Sequence, residues 1–165
     1  MGLFDFVKDA GARILGKDEE PEPQAKTVEY SAEERKQLNE RRQAMALVKL
    51  VEGFDLSVED LAIKVDDDLA TVSGKVPTQE EGEKIVLAVG NTAGIARVDN
   101  QLEVAEQAAE AQYYTVQSGD SLSAIAKKYY GNAMKYPAIF EANKPMLSDP
   151  DKIYPGQVLR IPAID

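Results

Sequence analysis

The middle of this chain takes its fold from residues 61–104, LAIKVDDDLATVSGKVPTQEEGEKIVLAVGNTAGIARVDNQLEV. Apolar and polar residues alternate over residues 62–65 and again over residues 69–76, which predicts two β-strands. The three consecutive aspartates at 66–68 separate these strands and favour a hairpin turn. They lack the spacing and the glycine of an EF-hand loop, so we interpret them as a solvated turn rather than a Ca²⁺ or Mg²⁺ site.

A helix and a third strand follow the hairpin. Thr78 is a capping residue in front of TQEEGEKIVLAVGN, and Gly90 with Asn91 is typical of a helix end. Residues 94–104 alternate once more and predict the third strand.

A second helix precedes the hairpin. Ser31 and Glu34 form the S-x-x-E pattern of a capping box, and Gly53 is suited to end the helix that starts there. The order helix, strand, strand, helix, strand predicts an α+β domain over residues 31–105. Its amphipathic helices can cover one face of a three-stranded sheet.

The last part of the chain, residues 113–165, has the pattern of a small separate unit. It follows a polar linker at residues 106–112, EQAAEAQ. The predicted order is strand, helix, helix, strand, over residues 113–117, 121–130, 135–144 and 158–162. Gly131 and Asn132 are suited to stop the first of these helices.

The beginning of the chain combines a short helix with a linker. Apolar residues recur at near-helical spacing within residues 1–15, MGLFDFVKDAGARIL, which predicts an amphipathic helix packed on its own protein. A helix of this length is too short to be stable alone. Residues 16–30 are rich in Pro and Glu and predict an acidic linker.

Composition excludes several functions. The 165 residues carry a formal net charge of −10, which disfavours binding to nucleic acid and to anionic membranes. There is no cysteine and no histidine, so cysteine or Ser-His-Asp catalysis and nearly all zinc hydrolase chemistry are excluded. We therefore expect a protein that is not an enzyme.

The expected location is the cytoplasm. The first residues lack the basic segment and unbroken apolar run of a signal peptide, because Asp5, Lys8 and Asp9 interrupt them. No run of about 18 apolar residues predicts a membrane span, and we expect no stable membrane insertion.

The C-terminal unit resembles the LysM family. The resemblance is carried by YTVQSGDSLSAIAKKY, IFEANK and IYPGQVLRIP, which follow the family pattern in order and spacing. LysM modules bind N-acetylglucosamine chains in a shallow groove between two loops. The resemblance implies a groove formed by Gly119, Asp120, Ser121, Leu122, Asn143, Ile153 and Tyr154. For Leu122 and Ile153 we favour a place in the core instead.

The central unit resembles the BON family, through VSGKV at residues 72–76 and AVGNTAGIARVDNQLEV at residues 88–104. Together with the start MGLFDFVKDAG and the single C-terminal LysM unit, the chain resembles a family of bacterial cytoplasmic potassium-binding proteins. This resemblance implies that the ligand is K⁺, with Rb⁺ or Cs⁺ able to replace it. Residues 16–40 are longer and more charged than the family pattern.

The residues themselves are compatible with a potassium site. K⁺ is held well by neutral backbone carbonyls, which leave little side-chain signature. In VGNTAGI, residues 89–95, we expect Gly90 and Gly94 to be able to take positive φ. The carbonyls at a helix C-terminus lack intrahelical partners and carry partial negative charge. From these residues alone an ordinary helix stop is the favoured interpretation. The family resemblance makes carbonyl ligands from Val7, Ala10, Gly90, Thr92 and Ile95 the working hypothesis.

We expect ion binding to have two structural consequences, and three other functions are alternatives to potassium binding. Ion binding by two segments would pin the N-terminal segment to the BON unit, and packing of the LysM unit on the same region would make the protein compact on binding. The main alternative is a peptidoglycan-binding protein of the cell envelope. A lipid- or pore-associated BON protein and an enzyme are further alternatives.

Overall fold

A computed structural model of the chain describes residues 2–6 and 29–164. In these ranges the chain forms a four-stranded sheet with two long helices, followed by a two-stranded sheet with two short helices. The first group has strands β1 (Gly2–Asp5), β2 (Glu59–Asp66), β3 (Leu69–Thr78) and β4 (Arg97–Glu106), and helices α1 (Ala32–Gly53) and α2 (Gln79–Gly90). The second has β5 (Gln112–Thr115), α3 (Leu122–Tyr130), a 3₁₀ turn (Ala133–Lys135), α4 (Tyr136–Ala142) and β6 (Val158–Ile161).

The larger sheet has the order β1-β4-β3-β2. Strands β2 and β3 form the predicted antiparallel hairpin, while β3 and β4 run parallel because α2 carries the chain back across the sheet. The third strand begins at Arg97, three residues later than the predicted residue 94.

Strand β1 corrects the prediction of an N-terminal helix. Residues Gly2–Asp5 pair antiparallel with Arg97–Asn100 of β4 and so add a fourth strand to the predicted three. The apolar residues at near-helical spacing include Phe4 and Phe6, and these two side chains pack against the core of the sheet instead of forming one face of a helix. The rest of the predicted helix lies outside the described residues.

Three helices begin at a capping residue, and the sequence predicts two of these residues, Ser31 and Thr78. In α1 the Ser31 Oγ accepts the Glu34 N–H at 3.2 Å, and the Glu34 carboxylate accepts the Ser31 N–H at 2.8 Å. The hydrogen bonds with Ser31 lower the pKa of the Glu34 carboxyl, and the bond from the Ser31 backbone N–H has the largest effect. Thr78 caps α2 by accepting the Glu81 N–H, and Ser121 caps α3 by accepting the Ala124 N–H. The capping predictions for Ser31 and Thr78 are confirmed.

Helix α2 contacts both groups of elements. Ile85, Val86 and Val89 belong to the core formed with β3, β4 and α1. Leu87 faces the other way and lines a small pocket with Asn143 and Met146 of the C-terminal group. The second half of α2, residues 85–90, is apolar and buried on all sides, and both groups of elements cover it.

The C-terminal group has a core of its own around Ile125, Ile139 and Leu159. Helix α3 ends at Gly131, whose φ of 71° is the left-handed conformation expected at a helix stop. The predicted second helix over 135–144 is shorter, because Ala133–Lys135 is a 3₁₀ turn and α4 ends at Ala142.

Candidate functional site

The turn that ends α2 is tightly folded and buried. The Asn91 N–H donates to the Leu87 carbonyl at 2.9 Å, and the Thr92 N–H donates to the Val89 carbonyl at 3.2 Å. The Ile95 N–H then closes a second turn on the Thr92 carbonyl at 3.2 Å. Gly94 takes a φ of 85° within it, as predicted.

Three of the five predicted ligand residues lie in this turn. Gly90, Thr92 and Ile95 are all buried, and Thr92 is only 2% exposed. The Thr92 carbonyl oxygen accepts one hydrogen bond but has a second lone pair. No basic residue lies in the last turn of α2, so no cationic side chain there offsets the partial negative charge of the helix C-terminus.

The N-terminal segment reaches the same turn. The Phe6 N–H donates to the Ala96 carbonyl at 2.6 Å. The Phe6 ring lies so close to Gly90 that a Cβ on Gly90 would overlap it. Val7 and Ala10, the other two predicted ligands, lie outside the described residues. Gly90 itself is the last residue of α2, so its predicted positive φ is wrong, and the close approach of Phe6 explains the glycine instead.

Asn91 connects this turn to the C-terminal group. Its Nδ2 donates to the Val158 carbonyl at 2.8 Å, and its Oδ1 accepts the Val158 N–H at 2.8 Å. The Tyr154 hydroxyl lies 3.5 Å from the Asn91 carbonyl oxygen. The same nitrogen of Asn91 lies 3.4 Å from the Met146 sulfur.

A buried ion pair lies beside this contact. Glu83 of α2 and Arg160 of β6 are both buried, and the Arg160 Nε donates to the Glu83 carboxylate. The second carboxylate oxygen accepts the Ala111 N–H at 3.1 Å. Burial, then the nearby Glu83 charge, raises the pKa of the adjacent Tyr113 hydroxyl. Sequence reasoning missed this pair, although a charged residue within the apolar strand VLRI was a usable signal.

Residues 119–122 of the predicted glycan groove serve local structure. Gly119 is exposed with a φ of 87°. Asp120 accepts the Tyr114 hydroxyl at 2.5 Å and the Gln117 N–H at 2.8 Å, and Ser121 caps α3. Leu122 is buried in the core, as we favoured.

The other predicted groove residues lie elsewhere. The Asn143 amide is fully used: its Nδ2 donates to the Ile139 and Arg160 carbonyls, and its Oδ1 accepts the Arg160 N–H. Tyr154 is 6% exposed, and Ile153 is partly buried against the core. A cleft of 540 Å³ beside Ile153 and Tyr154 is also lined by Leu50 of α1 and by Phe54, which follows α1. Its described lining does not include residues 119–122.

The acidic turn after β2 lies beside the side-chain ammonium group of Lys36. Oxygens of Glu40, Asp66 and Asp67 lie close enough together to bind a metal ion. The Lys36 ammonium lies 3.1 Å from Asp67 and 3.6 Å from each of the other two carboxylates. The hydrogen bond to Asp67 raises the pKa of Lys36. The geometry agrees with a solvated hairpin turn.

Within residues 2–6 and 29–164, none of the helices is long and apolar enough to cross a bilayer.

Comparison with known proteins identifies both groups. The family model of the BON domain matches residues 50–106, and that of the LysM domain matches residues 114–162. The potassium binding protein Kbp of Escherichia coli O6:H1 is 48% identical over 165 residues, which cover 98% of this chain and 99% of Kbp. This chain belongs to the Kbp family.

Two other relatives match only part of this Kbp-family chain. An uncharacterized protein from Deinococcus radiodurans is 56% identical over 50 residues, 30% of this chain and 19% of its own length. The esterase MT1326 of Mycobacterium tuberculosis is 50% identical over 48 residues, 29% of this chain and 10% of the esterase. Such short matches carry no information about activity. The expectations of a BON–LysM protein and of a mixed α+β fold are confirmed by the two family matches.

Proposed function

We propose that this protein is a cytoplasmic potassium sensor. The observation that carries the proposal is its 48% identity to Kbp across nearly the whole length of both chains. A relationship over 98% of the chain includes both domains and the segments that connect them. The esterase match covers 29% of the chain and gives no comparable support for an enzyme.

The proposed site is the turn after α2. The carbonyls of Gly90, Thr92 and Ile95 bind the ion, with those of Val7 and Ala10 from the N-terminal segment. The contacts of Phe6 with Gly90 and Ala96 support this, because they bring the chain to the turn one residue before Val7. A weakly hydrated monovalent ion suits neutral carbonyls, and Rb⁺ or Cs⁺ can replace K⁺ there.

Ion binding favours a compact arrangement of the two domains. The ion stabilises the turn that contains Asn91, and Asn91 bonds to strand β6 of the LysM domain. A ligand that binds one arrangement better shifts the population towards it. In this account the LysM domain is a structural partner of the BON domain.

Glycan binding in the cell envelope is the weaker alternative. Among the residues that the family pattern assigns to the groove, Asn143 and Tyr154 are buried, and Asp120 is bonded to Tyr114 and Gln117. A fold does not guarantee its usual function.

Thermal unfolding in KCl, NaCl and choline chloride at equal ionic strength tests the proposal. A ligand that binds only the folded state at 100 times its Kd adds about 2.7 kcal/mol to the free energy of unfolding. We expect the melting temperature to rise by several degrees in KCl and not in the other two salts. Equal melting temperatures in all three salts would contradict the proposal.

A further inference from the structure

Strand β6 of the LysM domain has one edge paired with a strand and one edge paired with side chains. Strand β5 covers one edge in antiparallel register. Val158 and Arg160 are two residues apart, so their N–H and C=O groups point to the same edge. At that edge each residue exchanges two hydrogen bonds with an asparagine.

The two asparagines are equivalent in geometry but come from different domains. Asn143 follows α4 of the LysM domain and bonds to Arg160 at 2.8 and 2.9 Å. Asn91 follows α2 of the BON domain and bonds to Val158 with both distances at 2.8 Å. Each is the residue that follows the end of its helix. The BON domain thus supplies one of the two partners that satisfy this edge.

Asn91 also lies within the proposed ion site, between Gly90 and Thr92. Its side chain is buried, and its carbonyl oxygen lies within hydrogen-bond reach of the Tyr154 hydroxyl at 3.5 Å. An ion bound by the carbonyls of Gly90 and Thr92 restrains the Gly90–Asn91 peptide plane, which precedes Asn91, and the Thr92–Ala93 peptide plane, which follows one residue later. The position of its side-chain amide is then fixed relative to β6.

We propose that Asn91 is the positioning residue that transmits ion occupancy of the turn to the LysM domain. The inference rests on the proposed potassium site. Asparagine suits this role because its amide has one donor and one acceptor group, like the peptide of a neighbouring strand. Aspartate has the same shape but no donor, and one of its oxygens would face the Val158 carbonyl.

Hydrogen exchange of two amides in the unmodified protein is the first test. The Val158 N–H donates to Asn91 of the other domain, and the Arg160 N–H donates to Asn143 of its own domain. We expect saturating K⁺ to slow exchange at Val158 by at least about tenfold relative to choline, and exchange at Arg160 by much less. Equal slowing at both amides would overturn the inference.

Energy transfer between two labels is the second test. The chain has no cysteine, so Met45→Cys in α1 and Met134→Cys in the LysM domain give unique labelling positions. Both side chains are exposed, at 62% and 77%. In the labelled parent we expect K⁺, and not choline, to change the transfer efficiency. With Asn91→Ala or Asn91→Asp we expect this change to be lost, while calorimetry still detects K⁺ binding that is weaker by about tenfold.

Gln43→Ala is the matched control. The Gln43 Nε2 donates to the Ala93 carbonyl in the same turn at 3.3 Å, without contacting the LysM domain through that bond. We expect this variant to weaken K⁺ binding and to retain the full change in transfer efficiency at saturation. A full K⁺-dependent change in transfer efficiency in the Asn91 variants would overturn the proposed role of Asn91. Absence of K⁺ binding in the parent would instead contradict the proposed function and, with it, this inference.

Discussion

Glu83 and Arg160 form a buried ion pair between helix α2 of the BON domain and strand β6 of the LysM domain. Asn91, which follows α2, bonds to Val158 of the same strand, so charge and amide contacts from the BON domain act on one strand. Because both groups are largely removed from water, the opposite charge of each stabilises the other.

The first prediction concerns this pair. Glu83→Gln removes the carboxylate charge and leaves the Arg160 guanidinium buried without it, so the free energy of unfolding in urea should fall by about 3 kcal/mol. Glu80→Gln is the control, since Glu80 is half exposed and lies 4.0 Å from Arg160. Its effect should be within about 1 kcal/mol. Similar losses in both variants would contradict the importance of the buried pair.

The second prediction concerns Gly90. Gly90→Ala places a methyl group where the Phe6 ring lies, so we expect a loss of about 1–3 kcal/mol in stability and faster hydrogen exchange along β1. The increase in melting temperature caused by K⁺ should shrink as well. Gly53→Ala is the control, because a Cβ there meets nothing within 4 Å and alanine favours helix. An unchanged K⁺ response in Gly90→Ala would argue against a site at this turn.

The third prediction concerns pH. The hydrogen bond from Tyr114, then that from the Gln117 N–H, lowers the pKa of Asp120, and the bond to Asp120 raises the pKa of Tyr114 to about 12. Because the pKa of Asp120 is lower in the folded protein, its ionised carboxylate stabilises the fold at pH values above its ordinary pKa of 3.8. This stabilisation is lost as pH falls through the folded-state pKa. Because the pKa of Tyr114 is higher in the folded protein, its neutral hydroxyl stabilises the fold fully below pH 10.0. This stabilisation is lost as pH rises through the folded-state pKa of about 12.

Tyr114→Phe should therefore flatten the pH dependence of the melting temperature at both ends. The parent should lose stability more steeply than the variant below about pH 4 and above about pH 10. Parallel curves for the two proteins across the whole range would refute a role for this hydrogen bond in the pH response.

The fourth prediction separates the two candidate functions. N-acetylglucosamine oligomers should leave the amide signals of Asn143 and Tyr154 unchanged in K⁺ buffer, because both residues are buried in internal contacts. Saturable shifts at these two residues would favour the glycan-binding alternative.

Local signals in the sequence predicted most of the secondary structure. Ser31, Thr78 and Ser121 begin helices through bonds to residues three positions away, so a short window contains the information. The hairpin of β2 and β3 depends on an equally local turn.

Non-local contacts account for what sequence reasoning missed. Strand β1 exists because it pairs with β4 nearly a hundred residues later, and Gly90 is required by the distant Phe6. Asn91 resembles an ordinary residue after a helix end, and only the fold reveals its partner at Val158. The turn at 90–95 was predicted as a site through family resemblance, since backbone ligands leave almost no pattern in side chains.

The most direct test of the proposed potassium site is a crystal structure of the protein grown in RbCl, with the ion located by its anomalous scattering. We expect one strong peak within about 3 Å of the carbonyl oxygens of Gly90, Thr92 and Ile95, since Rb⁺ can replace K⁺ in a carbonyl cage. A peak at the carboxylates of Glu40, Asp66 and Asp67 instead, or no peak at the turn, would contradict it.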